Sequence, residues 1–304
     1  LMNMRRIAFL AALGATTIYA LNHTIAKVIM PNYIGAFGLV LLRVIGATIL
    51  FWIASLFIKS ERIEFRDYPR LLIASIFGMC VNMLAFIKGL SLSTPINGAV
   101  IVTLTPLFVL IISAFLIKEK ITFTKFGGII LGFSGAVTLI AYGNSFTLNA
   151  PNIPLGNTLM VCNALSFGTY LVISKPLVKK YNTITLMKWM FPLGILYNLP
   201  FTLNEFILVD WFNLPSHAIW RMGFVVICTT FLAYLFNMFA LQYLQATTIS
   251  SFTYFQPIIA VGYASITGND KLDWVKFLSC LMVFCGVYLV TKRKKKKKFK
   301  ANIS

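Results

Sequence analysis

The sequence predicts an all-α membrane protein with ten transmembrane helices, built as two inverted five-helix repeats around a central cavity. Three observations carry that expectation. Apolar residues make up 59% of the 304-residue chain and charged residues 12%, against roughly 45–50% and 25% in soluble domains. The apolar residues fall into blocks of about 20, the helix length that crosses a bilayer core of roughly 30 Å. A stretch in the first half is also written again, 151 residues later, in the second.

The expected spans are 6–28, 34–58, 69–89, 95–117, 122–141, 155–178, 184–203, 217–241, 246–267 and 273–291. The first follows Arg5 and Arg6. It is too long for the apolar region of a signal peptide and lacks a small-x-small cleavage site, so it is read as a helix. The second carries Arg43 and the third Asn82. The fourth and ninth each hold a proline, Pro106 and Pro257. Thr122 and Asp273, good N-cap residues, stand before the fifth and tenth. The sixth echoes the first, and the eighth carries Tyr234 and Asn237. The loops leave no room for a soluble catalytic domain. Cys80, Cys162, Cys228, Cys280 and Cys285 all lie inside apolar blocks, without the spacing of a disulfide or zinc framework.

The formal net charge is +19, and the run from Lys292 to Lys300 places eight basic residues in nine. Directly after a membrane span, such a run marks the cytoplasmic side and attracts anionic lipid head groups rather than nucleic acid. With a cytoplasmic N-terminus, 21 of the 27 basic residues fall on the inner side. The outer side keeps Lys27, Lys88, Arg221, Lys271 and Lys276, and Arg43 lies within the membrane. Both termini are therefore expected in the cytoplasm.

Slid by 151 residues, "PLFVLIISAFLIKEKITFTKFGGIILGFSGAVTLI" from Pro106 lies over "PIIAVGYASITGNDKLDWVKFLSCLMVFCGVYLV" from Pro257. Glu119 then meets Asp270, Lys120 meets Lys271, Lys125 and Phe126 meet Lys276 and Phe277, and Gly135 meets Gly286. A weaker match sets "YALNHTIAK" (19–27) beside "FGTYLVISK" (167–175). The expected units are residues 1–145, residues 146–291 and a basic cytoplasmic tail at 292–304. Five spans is an odd number, so the second copy is upside down relative to the first, the arrangement by which secondary transporters build alternating access.

These features resemble the EamA family of the drug/metabolite transporter superfamily: a 5 + 5 helix pattern, prolines in spans four and nine with acidic residues closing them, an arginine in span two, and a basic tail. The second acidic position is Asp270, where the family usually carries glutamate. The resemblance covers nearly the whole chain. It implies a basket of helices around a central cavity, spans five and ten being more peripheral, in a multi-pass protein of the bacterial cytoplasmic membrane that exports small metabolites or amino acids.

Candidate substrate-binding residues are the polar groups on the faces of those spans. Helical spacing puts Ala99, Thr103 and Pro106 on one side of span four, and Ser250, Tyr254 and Pro257 on the matching side of span nine. The prolines are expected hinges, which free the carbonyls of Val102 and Thr253. They mark a wet cavity or a packing kink. Tyr19, Asn22, Phe167, Tyr170 and Ser174 come from spans one and six, joined by Asn82, Tyr234 and Asn237. Each serves a ligand or an interhelical hydrogen bond. Arg43 either anchors a carboxylate or phosphate through its planar fork or clamps helix-end carbonyls. His23, the one intramembrane group that titrates near neutrality, is either a packing residue or a proton carrier. Lys27, Lys88 and Lys188 are expected to snorkel from helix ends.

The eight acidic residues fall in loops or at helix ends, so ion coupling through a buried carboxylate is not expected. The leading function is a transporter of small organic solutes. A nucleotide-sugar or organophosphate exchanger would need more basic groups in the cavity, and an intramembrane enzyme would need a nucleophile–base pair or a metal cluster at depth. No cofactor or metal is expected; the partners are a small-molecule substrate and anionic lipid, with no nucleic acid, in a monomer or homodimer.

Overall fold

The computed structural model of the protein describes residues 2–59, 61–117, 123–142, 150–268 and 273–291. These residues form helices and turns, with no β-strand among them. Glu119, Asp270, Lys118, Lys120, Lys271, Thr122 and the tail at 292–304 lie outside the described residues. The five cysteines are all free.

Helix α1 covers Met2–Ile29 and α2 covers Ala36–Ser55. Next come α3 (Tyr68–Ser75) and α4 (Asn82–Leu92), one rod joined by a π-helical turn at Ile76–Val81. Then α5 (Pro95–Val102) and α6 (Thr105–Ile117) follow, and α7 spans Phe123–Tyr142. There follow α8 (Ile153–Lys180), α9 (Thr183–Ile207), α10 (Ser216–Phe224), a π turn at Val225–Leu232, and α11 (Ala233–Tyr243). The series closes with α12 (Ala246–Ser251), a 3₁₀ turn at Phe252–Tyr254, α13 (Phe255–Ile266) and α14 (Trp274–Thr291). Among the described residues, six rods are long and apolar enough to cross a membrane: Asn3–Ile29, Ala36–Ser55, Phe65–Leu92, Pro95–Phe115, Ile153–Lys180 and Ser216–Tyr243.

Local chemistry sets several helix starts. The Thr94 hydroxyl accepts the Asn97 N–H at 3.3 Å, with Pro95 in the first turn of α5. Asn152 and Asn182 do the same for Leu155 and Ile184 at 3.1 and 2.9 Å, opening α8 and α9. Side-chain oxygens here take up amides that the first turn leaves unbonded. The expected kinks are outright interruptions. Pro106 has no N–H for Val102, and α5 ends there; the Thr105 hydroxyl donates to the Val102 carbonyl at 2.7 Å in its place.

The 151-residue shift aligns element ends as well as letters. It carries Asn82 and Leu92, the ends of α4, onto Ala233 and Tyr243, the ends of α11. It carries the start of α5 onto that of α12, and the start of α7 onto that of α14. It also brings one π turn onto the other.

Helices at equivalent places pack against each other head to tail. A Cβ on Gly135 would come within 2.8 Å of the Ser279 carbonyl and of Val283, and one on Gly286 within 2.5 Å of the Gly128 carbonyl. The later part of each helix thus lies on the early part of the other, so α7 and α14 are antiparallel, their backbones brought close by small residues. For α2 and α9, the Glu205 carboxylate near the end of α9 accepts the Phe37 and Gly38 N–H groups at 2.6 and 3.1 Å. Glu61, just past α2, accepts the Asn182 N–H at 2.7 Å. Each helix end caps the other's start with a carboxylate, which also suits the helix dipole.

Candidate functional site

The two π turns face the middle of the bundle. A π turn widens the helix and leaves carbonyls short of partners. In an apolar interior those acceptors must be satisfied by side chains. Around the first turn, Ser166 donates to the Phe77 carbonyl at 2.7 Å, Asn198 to Met79 at 2.8 Å and Asn163 to Asn82 at 3.1 Å. The Tyr234 hydroxyl lies 2.9 Å from the Gly78 carbonyl and 3.1 Å from Asn82 Oδ1, and its one proton serves both. In the second turn, Thr230 donates to the Val225 carbonyl at 2.7 Å, and Thr229 donates to Asn22 Oδ1 at 3.0 Å.

Between them lies a cavity. Helix α1 contributes Tyr19, Asn22 and His23; α2 contributes Arg43; α4 contributes Asn82 and Phe86. The opposite wall is Asn163 and Phe167 of α8, Thr229 of the second π turn and Tyr234 of α11, with Val102 and Gln256 from the two interrupted rods. Its volume is about 50 Å³, room for a few water molecules and well short of the roughly 300 Å³ at which small-molecule pockets begin. Tyr19 meets Phe167 edge-on at 6.2 Å and Tyr234 at 6.5 Å, narrowing one end with rings.

Arg43 is 3% exposed. Its Nε donates to the Thr230 hydroxyl at 2.9 Å, and its Nη1 is buried with no partner. Among the described residues it makes no bond to a helix-end carbonyl; it is held at one nitrogen and left unsatisfied at another. Asn22 Nδ2 and His23 Nδ1 are buried without partners as well. His23 Nε2 lies 3.2 Å from Gln256 Oε1, a bond from α1 to α13 across the cavity, and its ring meets Phe86 edge-on at 5.2 Å. Among the described residues the walls carry no carboxylate. A buried guanidinium nitrogen and a buried amide, both donors, await an acceptor whose loss they would otherwise pay for in full desolvation.

Of the residues singled out in the sequence, the structure brings Tyr19, Asn22, His23, Arg43, Asn82, Phe167 and Tyr234 to this cavity. Asn237 stands one contact behind, donating to the Tyr19 hydroxyl at 3.2 Å. Tyr170 is fully buried, its ring 6.1 Å from Tyr234 and its hydroxyl turned to the Met187 sulfur at 3.9 Å. Thr103 donates to its own helix, at the Val100 carbonyl, 2.6 Å away. Tyr254 packs edge-on against Phe284 of α14 at 6.1 Å. Thr103 and Tyr254 are thus not among the cavity walls, and neither are Pro106 and Pro257. The prolines act one step removed, where the broken rods deliver Val102 and Gln256. Asn163, Thr229, Gln256 and Phe86 were not singled out in the sequence; Gln256, beside Pro257, had the nearest signal.

Two lysines depart from the snorkelling expected of Lys27. Lys27 is buried and donates to the carbonyls of Leu90 and Ser91, both at 2.8 Å, at the end of α4. Lys175 donates to the carbonyls of Leu241 and Leu244, at the end of α11. These lysines sit at matching places in "YALNHTIAK" and "FGTYLVISK". Each supplies a cation to carbonyls that a helix C-terminus leaves unbonded.

A model described as the EamA-like transporter family matches residues 6–141 and again 154–292. An uncharacterized transporter of Archaeoglobus fulgidus is 27% identical over 265 residues, 86% of this chain and 91% of its own length. The uncharacterized transporter YoaV of Bacillus subtilis is 24% identical, covering 81% of this chain and 84% of itself. A crystal structure at 18% identity superposes with a TM-score of 0.64 over 95% of this chain and 97% of its own, a likeness of fold.

Proposed function

Because the chain belongs to the EamA-like transporter family, we propose that it is a secondary transporter that exports small carboxylate-bearing solutes, amino acids or their relatives, by alternating access. The observation that carries this reading is the set of buried, unpartnered groups on the cavity wall: Arg43 Nη1, Asn22 Nδ2 and His23 Nδ1. An arginine fork and a neighbouring amide fit a carboxylate. An organophosphate exchanger fits less well, since Arg43 is the lone arginine or lysine among the described wall residues. The relatives are named transporters, and the site is read as binding its solute without altering it.

The proposed architecture is ten membrane spans in two inverted repeats. The shared 151-residue spacing of element ends, the antiparallel contact of α7 with α14 and the reciprocal carboxylate caps of α2 and α9 support it. The cavity is too small for an amino acid as it stands, so binding requires the walls to part. The breaks at Thr103–Leu104 and Phe252–Tyr254 are natural hinges for that movement. The proposed setting is the bacterial cytoplasmic membrane with both termini inside, supported by the basic-residue bias.

The test is a thermal-shift screen of the purified protein against amino acids, carboxylic acids, nucleosides and organophosphates. Stabilisation by a carboxylate solute that disappears when the carboxylate is amidated is the expected result. Stabilisation by neutral nucleosides alone would remove the carboxylate reading.

A further inference from the structure

We infer that the cleft between the segment after α2 and the first turns of α9 binds the phosphate group of an anionic phospholipid, at a site separate from the central cavity. The cleft has a volume of about 280 Å³, and its walls include Lys59, Arg62 and Lys188 beside Ser55, Glu61 and Thr185.

Charge is the first reason. Close by, Arg66 pairs with Glu64, and Lys180 with Glu64 and Asp67, all at 2.7 Å. Lys59, Arg62 and Lys188 have no ion pair among the described residues. The one carboxylate in the cleft, Glu61, accepts the Asn182 N–H at 2.7 Å and so fixes the wall. Three cations against one acid leave an excess that an anion would balance.

Position is the second. Lys188 lies 4.4 Å over the ring of Trp52 and 5.8 Å from that of Trp189. Both indoles are close to half exposed, and Phe57 and Phe65 nearby are almost fully so. Tryptophan of this exposure beside lysine is the signature of the head-group level of a bilayer. The apolar rings then lie against acyl chains and the cleft against the head group. A soluble phosphate ester shares the phosphate chemistry but has no use for the exposed rings. The segment also belongs to the side expected to be cytoplasmic, where anionic lipids concentrate.

The test uses the full chain in neutral detergent. Phosphatidylglycerol binding is followed by native mass spectrometry and melting temperature, against phosphatidylcholine and against glycerol 3-phosphate, which has the phosphate without the chains. The expected result is retained phosphatidylglycerol and a raised melting temperature, no response to glycerol 3-phosphate, and about a hundredfold weaker lipid binding in Lys59→Gln/Arg62→Gln/Lys188→Gln with the tail unchanged. Equal binding of the two lipids, or undiminished phosphatidylglycerol binding by the triple variant, overturns the site. A response to glycerol 3-phosphate as strong as that to the lipid overturns the lipid as its source. Should the variant fail to fold, a head-group photo-crosslinking phosphatidylglycerol on the unaltered protein decides: label in residues 52–68 or 183–189 supports the site, and label confined to 292–304 overturns it.

Discussion

Arg43 concentrates the chemistry of this protein in one side chain. Its Nε is occupied by Thr230 and its Nη1 has no hydrogen-bond partner among the described residues. Arg43→Lys keeps the charge and loses the fork, so the solute found by screening should bind about tenfold or more weakly while folded protein accumulates as before. Affinity and melting temperature measured on the same purified variant check this; unchanged affinity with a lowered melting point would return Arg43 to a purely structural role. Polar residues in apolar spans are rare enough to be noticed, which is why Tyr19, Asn22, Arg43, Asn82 and Tyr234 were legible from sequence. Asn163, Thr229 and Gln256 were not. Their facing depends on the π turns and the broken rods, and a π turn inserts a residue and rotates everything beyond it. An unbroken 3.6-residue period, the basis for pairing Thr103 and Tyr254 with the prolines, fails at such places.

At the scale of elements, close approach and capping make the testable claims. An added Cβ at Gly286 would stand 2.5 Å from the Gly128 carbonyl and the Gly132 nitrogen, which are backbone and cannot swing aside. Gly286→Ala should therefore push α14 off α7 and cost about 1–3 kcal/mol, read as a lower denaturation midpoint; an unchanged midpoint would mean the helices cross elsewhere. Lys27→Met and Lys175→Met each strand two carbonyls, at the ends of α4 and α11. Each should cost about 1–3 kcal/mol, and the two losses should be similar because the two caps are equivalent. A neutral Lys27→Met would dissolve that equivalence. The starts of α5, α7 and α14 were close to the expected 95, 122 and 273, because apolar blocks and capping residues are written locally. Lys27 was misjudged because its acceptors belong to another helix, 63 and 64 residues away.

For the whole molecule, orientation is the first prediction. A reporter fused after Ser304 and active only in the cytoplasm is expected from the basic-residue bias; activity only outside would overturn the topology and the inverted relation of the halves with it. The 151-residue correspondence was readable from Pro106 to Gly135 against Pro257 to Gly286, but how the matching helices touch was not, since no single span records its partner. At the α7–α14 crossing Gly286 rests on Gly128 and Gly132 while Gly135 rests on Ser279 and Val283, so positions related by the 151-residue shift meet reciprocally there. The first half still carries glycine at 128, 132 and 135, whereas the second has Ser279 and Val283 at the matching places. The crossing is therefore uneven in its side chains: α14 brings Ser279 and Val283 to Gly135, while α7 meets Gly286 with glycine backbone.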